Sequence, residues 1–283
     1  MRYGINLLLW TDVLDDKSLP VLDLVQRIGY DLVELPIMSD EPVGPKKWGK
    51  RLDELGLKRT ASHCTPPEHN LISSDSSVRR AGVEGLKRIL DRCAEAGVET
   101  LMGPIHSAIG VFSGQAATKD EWQWGVECMR QVAEYAQTIN VRIAIEYLNR
   151  FECYFLTCAA DLARYVKAVD HPFCGGVFDT FHAHIEEKNS AAAVRELGKH
   201  ITHVHISEND RGTPGEGAVH WNPVFDALHD VGYEGNMVVE AFGSQLPSLT
   251  AATKIWRKMF RSEEQLATDA LAFMKENVAR RWG

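Results

Sequence analysis

The chain has 283 residues, 45% of them hydrophobic and 25% charged, which is typical of a soluble globular protein with a large core. Its formal net charge of −8 disfavours a nucleic-acid or anionic-membrane partner, because such partners usually select a basic surface. No apolar run approaches the roughly 20 residues that cross a bilayer, and MRYGINLLLWTDVL lacks the layout of a cleaved signal peptide.

The cysteines are scattered and form no CxxC pair. In a chain of this size that pattern predicts reduced thiols in a cytoplasmic protein. The six positions are Cys64, Cys93, Cys128, Cys153, Cys158 and Cys174.

Short β-rich runs alternate with longer segments of helical period along the chain. The predicted strands are 2–10, 30–36, 58–64, 99–104, 141–148, 173–179, 201–207 and 236–242. Leu, Val and Ile recur three and four positions apart in the segments between them, which is the amphipathic helical pattern. The clearest predicted helices are 77–97, 121–140, 158–170, 190–200, 222–232 and 262–281.

Residues that commonly begin or end helices support these helix limits. Asn222-Pro223 and Ser262-Glu263 predict helix starts, whereas Gly97 and Gly232 predict helix ends. Eight strand–helix units without a linker predict an α/β fold, a (β/α)8 TIM barrel, as one domain over 1–283 that closes with helix 262–281. A doubly wound open sheet is the alternative, but no GxGxxG follows the first strand.

Polar residues stand at the ends of the last four predicted strands. Glu146, Asp179, His205 and Glu240 end strands five to eight in turn. Chemistry in TIM barrels lies at this C-terminal face, so the four side chains predict a metal site. Mostly oxygen donors suit Mn²⁺, Mg²⁺ or Co²⁺, although Zn²⁺ would also accept them. Three inward carboxylates without a cation would be electrostatically costly.

Some of these residues also have a purely structural interpretation. Asp179 could cap the next helix instead of binding a metal. His203 lies on the same face of its strand as His205, one layer deeper, and either orients a ligand or is a core histidine. Glu152, His182 and Arg211 follow the strand ends at short spacing, where contacts with a polyhydroxylated carbonyl compound belong.

Several motifs together resemble a known family. They are EYLNRFE (146–152), FDTFHAHIEE (178–187), HVHISENDRGTPGEG (203–217), VVEAF (238–242) and IWRKMF (255–260), with weaker matches in NLISSDSSVRRAG (70–82) and GPIHSAIG (103–110). The chain resembles the ketose 3-epimerases of the D-tagatose 3-epimerase group, which includes D-psicose (D-allulose) and L-ribulose 3-epimerases. That group belongs to the xylose-isomerase-like barrel superfamily.

The resemblance implies roles for particular residues. Glu146, Asp179, His205 and Glu240 would bind a divalent cation, with Mn²⁺ preferred and Mg²⁺ or Co²⁺ possible. Glu152, His182 and Arg211 would hold the O1–O3 end of the sugar, and Cys64 would face the substrate.

The loop after strand four departs from the family pattern. It carries Ile105, His106 and Ile109 where the group often has bulkier aromatic residues, and we assign His106 to the substrate pocket. The resemblance also implies a homodimer or homotetramer.

The predicted reaction inverts C3 of a free ketose through a metal-stabilised cis-enediolate. A cation that chelates O2 and O3 polarises the C2 carbonyl, and the proton at C3 becomes acidic. Glu146 and Glu240 would then exchange the roles of base and acid. Alternatives are a sugar isomerase, a 3-keto-sugar or inosose dehydratase-eliminase, and a non-catalytic sugar-binding protein.

Overall fold

The computed structural model describes residues 1–40 and 44–283. Eight parallel strands close into a barrel in which each strand pairs with its neighbours in the chain and β8 pairs with β1. They are β1 Arg2–Asn6, β2 Leu32–Pro36, β3 Lys58–Ser62, β4 Thr100–Gly103, β5 Arg142–Glu146, β6 Cys174–Asp179, β7 Ile201–Ile206 and β8 Asn236–Val239. The predicted (β/α)8 TIM barrel is confirmed.

Helices surround this barrel. They are α1 Val21–Ile28, α2 Pro45–Leu55, α3 Ser76–Glu95, α4 Lys119–Thr138, α5 Ala159–Val169, α6 Thr180–Glu186, α7 Ser190–Leu197, α8 Trp221–Asp230, α9 Pro247–Thr253 and α10 Glu263–Trp282. Within the described ranges, no helix combines the length and the apolar character that a bilayer crossing requires.

The register of β6, β7 and β8 brings the predicted ligands together. Asp179 pairs with His205 across β6 and β7, and His205 pairs with Val238 on β8. Glycines allow β6 and β7 to approach, because a Cβ at Gly175 would lie 2.2 Å from the Thr202 hydroxyl oxygen. Residues at or next to the ends of neighbouring strands therefore meet at the barrel mouth.

The strand limits differ from the predicted ones at both ends of the chain. The first strand ends at Asn6 and not at residue 10, because the Asn6 side chain accepts a hydrogen bond from the Leu8 backbone N–H (2.9 Å) and starts a 3₁₀ turn. The last strand ends at Val239, so Glu240 is the first residue beyond it. β7 continues one residue past His205 to Ile206.

The helix starts follow their predicted caps closely. Ser262 caps α10 by accepting from the Gln265 backbone N–H, as expected. α8 begins at Trp221, one residue before the predicted Asn222. α10 then packs beside α1, α8, β1 and β8, and the Tyr30 hydroxyl donates to the Ala267 carbonyl at 2.7 Å. The last helix thus joins the end of the chain to its beginning.

Candidate active site

A cavity of about 620 Å³ opens at the carboxyl ends of the strands. This is the face at which TIM-barrel enzymes place their active sites. Among the side chains that line it are six from the predicted set: Cys64, Glu146, Glu152, His182, Arg211 and Glu240. The wall farther out is mostly apolar and is formed in part by Phe151, Phe242 and Leu249.

The four predicted metal ligands form one cluster at the base of this cavity. One donor atom from each of Glu146, Asp179, His205 and Glu240 lies within 4.8 Å of the others. All four residues are buried. Asp179 also caps α6, because its Oδ1 accepts from the Phe181 backbone N–H at 2.7 Å while Oδ2 faces the cluster. The two interpretations of Asp179 are therefore compatible.

His205 presents one ring nitrogen to the cluster. Its Nδ1 lies 3.4 Å from Glu240 Oε1 and 3.5 Å from Glu146 Oε1. The other nitrogen, Nε2, lies 2.8 Å from Glu34 Oε1. Burial alone would lower the pKa of His205, but Glu240 and Glu34 raise it well above its ordinary value.

Glu34 is a site residue that the sequence analysis missed. It is fully buried on β2 and also contacts His203, whose Nε2 lies 3.0 Å from Glu34 Oε2. His203 is thus the deeper neighbour of His205, with their rings 5.2 Å apart. An acidic residue inside the apolar run LVELP was the available signal, since isolated carboxylates are rarely buried in such a strand.

The electrostatics of the cluster fit a cation. Burial, together with Glu240 and Asp179, raises the pKa of Glu146 to about 8. Burial would also raise the pKa of Asp179, but the Arg211 guanidinium holds it well below its usual range. Glu146 Oε1 and His205 Nδ1 are buried without a hydrogen-bond partner. A carboxylate oxygen and an imidazole nitrogen that face one another without hydrogen-bond partners are suitable ligand atoms for a divalent metal ion.

Arg211 links the ligand cluster to the cavity. Its Nη1 donates to Asp179 Oδ2 at 3.0 Å and to Glu240 Oε2 at 2.5 Å, and the guanidinium carbon lies 3.7 Å from the centre of the Phe181 ring. The residue adopts a left-handed φ of 61° within the loop after β7. The Arg211 backbone N–H donates to the Glu208 carbonyl at 3.0 Å, which holds this turn.

His182 is held in one tautomer beside Arg211. The Asn149 backbone N–H donates to His182 Nδ1 at 3.0 Å, which places the proton of the neutral ring on Nε2. Burial lowers the pKa of His182 to about 4, so the ring is neutral at physiological pH. The Asn149 side-chain amide also donates to Glu152 Oε1 at 2.9 Å. Asn149 therefore positions both polar residues, a role that the sequence did not reveal.

Comparison with known proteins places this geometry in a family. The model of the xylose isomerase-like TIM barrel matches residues 22–277. The chain belongs to this xylose isomerase-like family. It is 30% identical over 290 residues to the D-psicose 3-epimerase of Ruminiclostridium cellulolyticum, covering 98% of each chain.

Solved structures within the family agree. An L-ribulose 3-epimerase structure superposes with a TM-score of 0.93 at 29% identity, covering 99% of this chain and 95% of the other. D-allulose 3-epimerase from Methylomonas sp. in complex with D-allulose gives 0.92 at 27% identity, covering 98% and 97%. The expected membership of the ketose 3-epimerase group is confirmed, as is the prediction of an isomerase-class carbohydrate epimerase.

Of two predicted substrate contacts, Cys64 lines the cavity and His106 does not. Cys64 follows β3 by two residues and is exposed to the cavity. His106 is fully buried and is not among the side chains that line the cavity, although its neighbour in the loop, Ile109, is. The His106 ring packs 5.8 Å from that of Phe155, and its Nδ1 lies 2.9 Å from the Ser107 hydroxyl.

Proposed function

We propose that the protein inverts C3 of free ketoses such as D-tagatose, D-fructose, D-psicose or L-ribulose, with a divalent cation as cofactor. The observation that carries this proposal is the buried cluster of three carboxylates and one imidazole at the base of the cavity. The similarity of the chain to a D-psicose 3-epimerase over 98% of its length supports the same activity. Mn²⁺ is the proposed ion, because oxygen-rich sites with one imidazole suit it.

The proposed ligands are Glu146, Asp179, His205 and Glu240. When bound there, a divalent cation would polarise the C2 carbonyl of the sugar and stabilise the negative charge that develops on its oxygen. The unpartnered Glu146 Oε1 and His205 Nδ1 support this assignment, because buried polar atoms are normally satisfied.

Glu146 and Glu240 would move the proton at C3. They extend from β5 and from the residue after β8, and β6 and β7 separate these two strands in the barrel wall. Their carboxylates thus reach the cavity from different sides. One would remove the C3 proton and the other would return a proton to the opposite face, which inverts the centre.

Arg211 and His182 would fix the O1–O2 end of the sugar. Arg211 Nη2 and His182 Nε2 lie 3.2 Å apart, and the Nδ1 contact of His182 makes its Nε2 a donor. Two neighbouring donors without an acceptor of their own suit a sugar oxygen. Glu152, held by Asn149, would accept from a hydroxyl group nearby. This arrangement would present only C3 to the carboxylates.

Deuterium incorporation from D₂O tests the proposal. The Mn²⁺-loaded protein is incubated with D-tagatose, D-fructose or L-ribulose, and we expect label at C3 with inversion, abolished by a chelator. Glu146→Gln or Glu240→Gln should lower turnover by about 10²–10⁴-fold, since each loses its proton-transfer group. Glu216→Gln, an exposed carboxylate in the loop after β7, is the matched control and should retain activity.

Each alternative activity gives a different result in the same assay. Label confined to C1 or C2 would identify an aldose–ketose isomerase, and loss of water would identify a dehydratase. Metal-dependent sugar binding without any label would identify a binding protein. Near-normal epimerisation by Glu146→Gln or Glu240→Gln would contradict the assigned roles.

We further propose a cytoplasmic homodimer or homotetramer. All six cysteines are free thiols, as expected in a reducing compartment. Trp256 is 70% exposed and would be covered by a second subunit. Light scattering of the purified protein gives the subunit number, and a monomer at all concentrations would contradict the proposal.

A further inference from the structure

Glu34 is a buried carboxylate that the proposed reaction does not use. Proton transfer and sugar binding are assigned to other side chains, yet Glu34 lies in the barrel interior directly behind a proposed ligand. We propose that Glu34 is a positioning residue that orients the His205 imidazole so that Nδ1 faces the metal. This inference rests on the proposed metal site.

Each oxygen of Glu34 accepts from one uncharged side chain and lies within 3.0 Å of a histidine nitrogen. The Asn6 side-chain amide donates to Oε1 at 2.9 Å, and His205 Nε2 lies 2.8 Å from the same oxygen. The Thr60 hydroxyl donates to Oε2 at 2.9 Å, and His203 Nε2 lies 3.0 Å away. An ionised carboxylate only accepts, so it matches the Asn6, Thr60 and His205 groups that surround it. Glu34 therefore favours the proton of His205 on Nε2.

The tautomer of His205 decides which of its atoms is free for a ligand. With the proton on Nε2, the lone pair is on Nδ1, the atom that faces Glu146 and Glu240. The opposite tautomer would place a proton between the imidazole and the ion. The same network reaches a second ligand, because the Asn6 amide also donates to Glu240 Oε1 at 3.4 Å.

Glu34→Gln tests the inference with little change of volume. The amide replaces one acceptor oxygen with a donor, which then opposes the donors around it. Loss of an outer partner of a metal-bound histidine typically weakens metal affinity by about 10–100-fold, and we expect that range for the Kd of Mn²⁺. The free ion is counted by electron paramagnetic resonance in a titration of each protein with MnCl₂.

Thr60→Val is the matched control. It removes one hydroxyl that donates to Glu34 but leaves both histidine contacts in place. Its effect on the Kd should stay well below the roughly 10–100-fold expected for Glu34→Gln, because the contact that orients His205 remains. If both variants weaken Mn²⁺ binding equally, the effect is a general disturbance of the barrel interior and the positioning role is overturned.

The titration separates this inference from the proposed function. A wild-type protein that fails to bind one Mn²⁺ per chain overturns the metal site itself, and with it any role for Glu34. Wild-type binding that Glu34→Gln leaves unchanged overturns the positioning role alone.

A measurement on the wild type covers the case in which Glu34→Gln fails to fold. In ¹⁵N NMR spectra of the Zn²⁺-loaded protein, the imidazole signals of His205, identified by their loss in His205→Gln, should show a proton on Nε2. A proton absent from Nε2, or present on Nδ1, overturns the inference.

Discussion

Glu208 holds the loop that carries Arg211, and its substitution tests how the loop positions that residue. The side chain is fully buried and accepts four hydrogen bonds. Oε1 accepts from the Asn209 and Val219 backbone N–H groups at 3.0 Å each. Oε2 accepts from the Gly215 backbone N–H at 2.8 Å and from the Trp221 indole at 3.0 Å. One carboxylate thus ties both ends of the loop to its centre.

Glu208→Gln should destabilise the structure of this loop, while the volume of the side chain stays nearly the same. The amide nitrogen replaces one acceptor oxygen, so two of the four hydrogen bonds are lost. Each hydrogen bond to a charged group contributes about 1.5–3 kcal/mol, which gives a local destabilisation of about 3–6 kcal/mol. Because Arg211 lies within this loop and its backbone N–H donates to the Glu208 carbonyl, kcat/KM should fall as well.

Amide hydrogen exchange measures the effect at the loop itself. At the lower bound of 3 kcal/mol, the Gly215 and Val219 amides should exchange on the order of 10²-fold faster than in the wild type. Trp221→Phe is the control, because it removes one donor and should cause about half the loss of free energy. Unchanged protection of both amides in Glu208→Gln would refute the reasoning, whatever happens to activity.

Two further predictions concern polar residues of the cavity wall, a neutral histidine and a charged arginine. Burial lowers the pKa of His63 to about 4, so the folded protein keeps this ring neutral while the unfolded chain takes up a proton below about pH 6.5. Stability from His63 is therefore complete above pH 6.5 and is lost as the pH falls to 4, by up to about 3 kcal/mol. The test variant is His63→Asn, which retains a donor for the Ile37 carbonyl. In urea unfolding, the difference in unfolding free energy between wild type and variant should shrink from pH 7 to pH 4. A difference that stays constant over this range would contradict the prediction. Arg211→Lys replaces the planar fork by a point charge that cannot reach Asp179 and Glu240 while it also presents a second donor beside His182, and kcat/KM should fall on the order of 100-fold. A decrease of less than about threefold would show that the fork geometry is not needed.

The barrel and the cluster of candidate metal ligands were predictable because both depend on short-range patterns. Strand runs that alternate with helical segments specify the (β/α)8 order, and parallel strands in a closed barrel bring their carboxyl ends together. Glu146, Asp179, His205 and Glu240 each end or follow a strand, so their meeting follows from the topology alone.

The residues that the sequence did not reveal act across the barrel. Glu34 meets His205 over a separation of 171 positions, and Asn149 meets His182 over 33. Such partners are set by which side chains share an interior layer, and that layer depends on register and tilt. His106 shows the reverse case, since a polar residue in a loop after a strand suggests a ligand contact but the loop turns this one into the core.

Asp179 shows why a structural and a functional interpretation of one residue need not compete. Its Oδ1 caps α6, and its Oδ2 faces His205 and Arg211. The cap holds the side-chain torsion, so the oxygen that points into the cluster is already positioned before any ion binds. His205 follows the same principle, with Nε2 held by Glu34 and Nδ1 left free. In both residues one polar atom bonds to the scaffold and the other faces the cluster, so the fold itself orients these two side chains toward the place where an ion would bind.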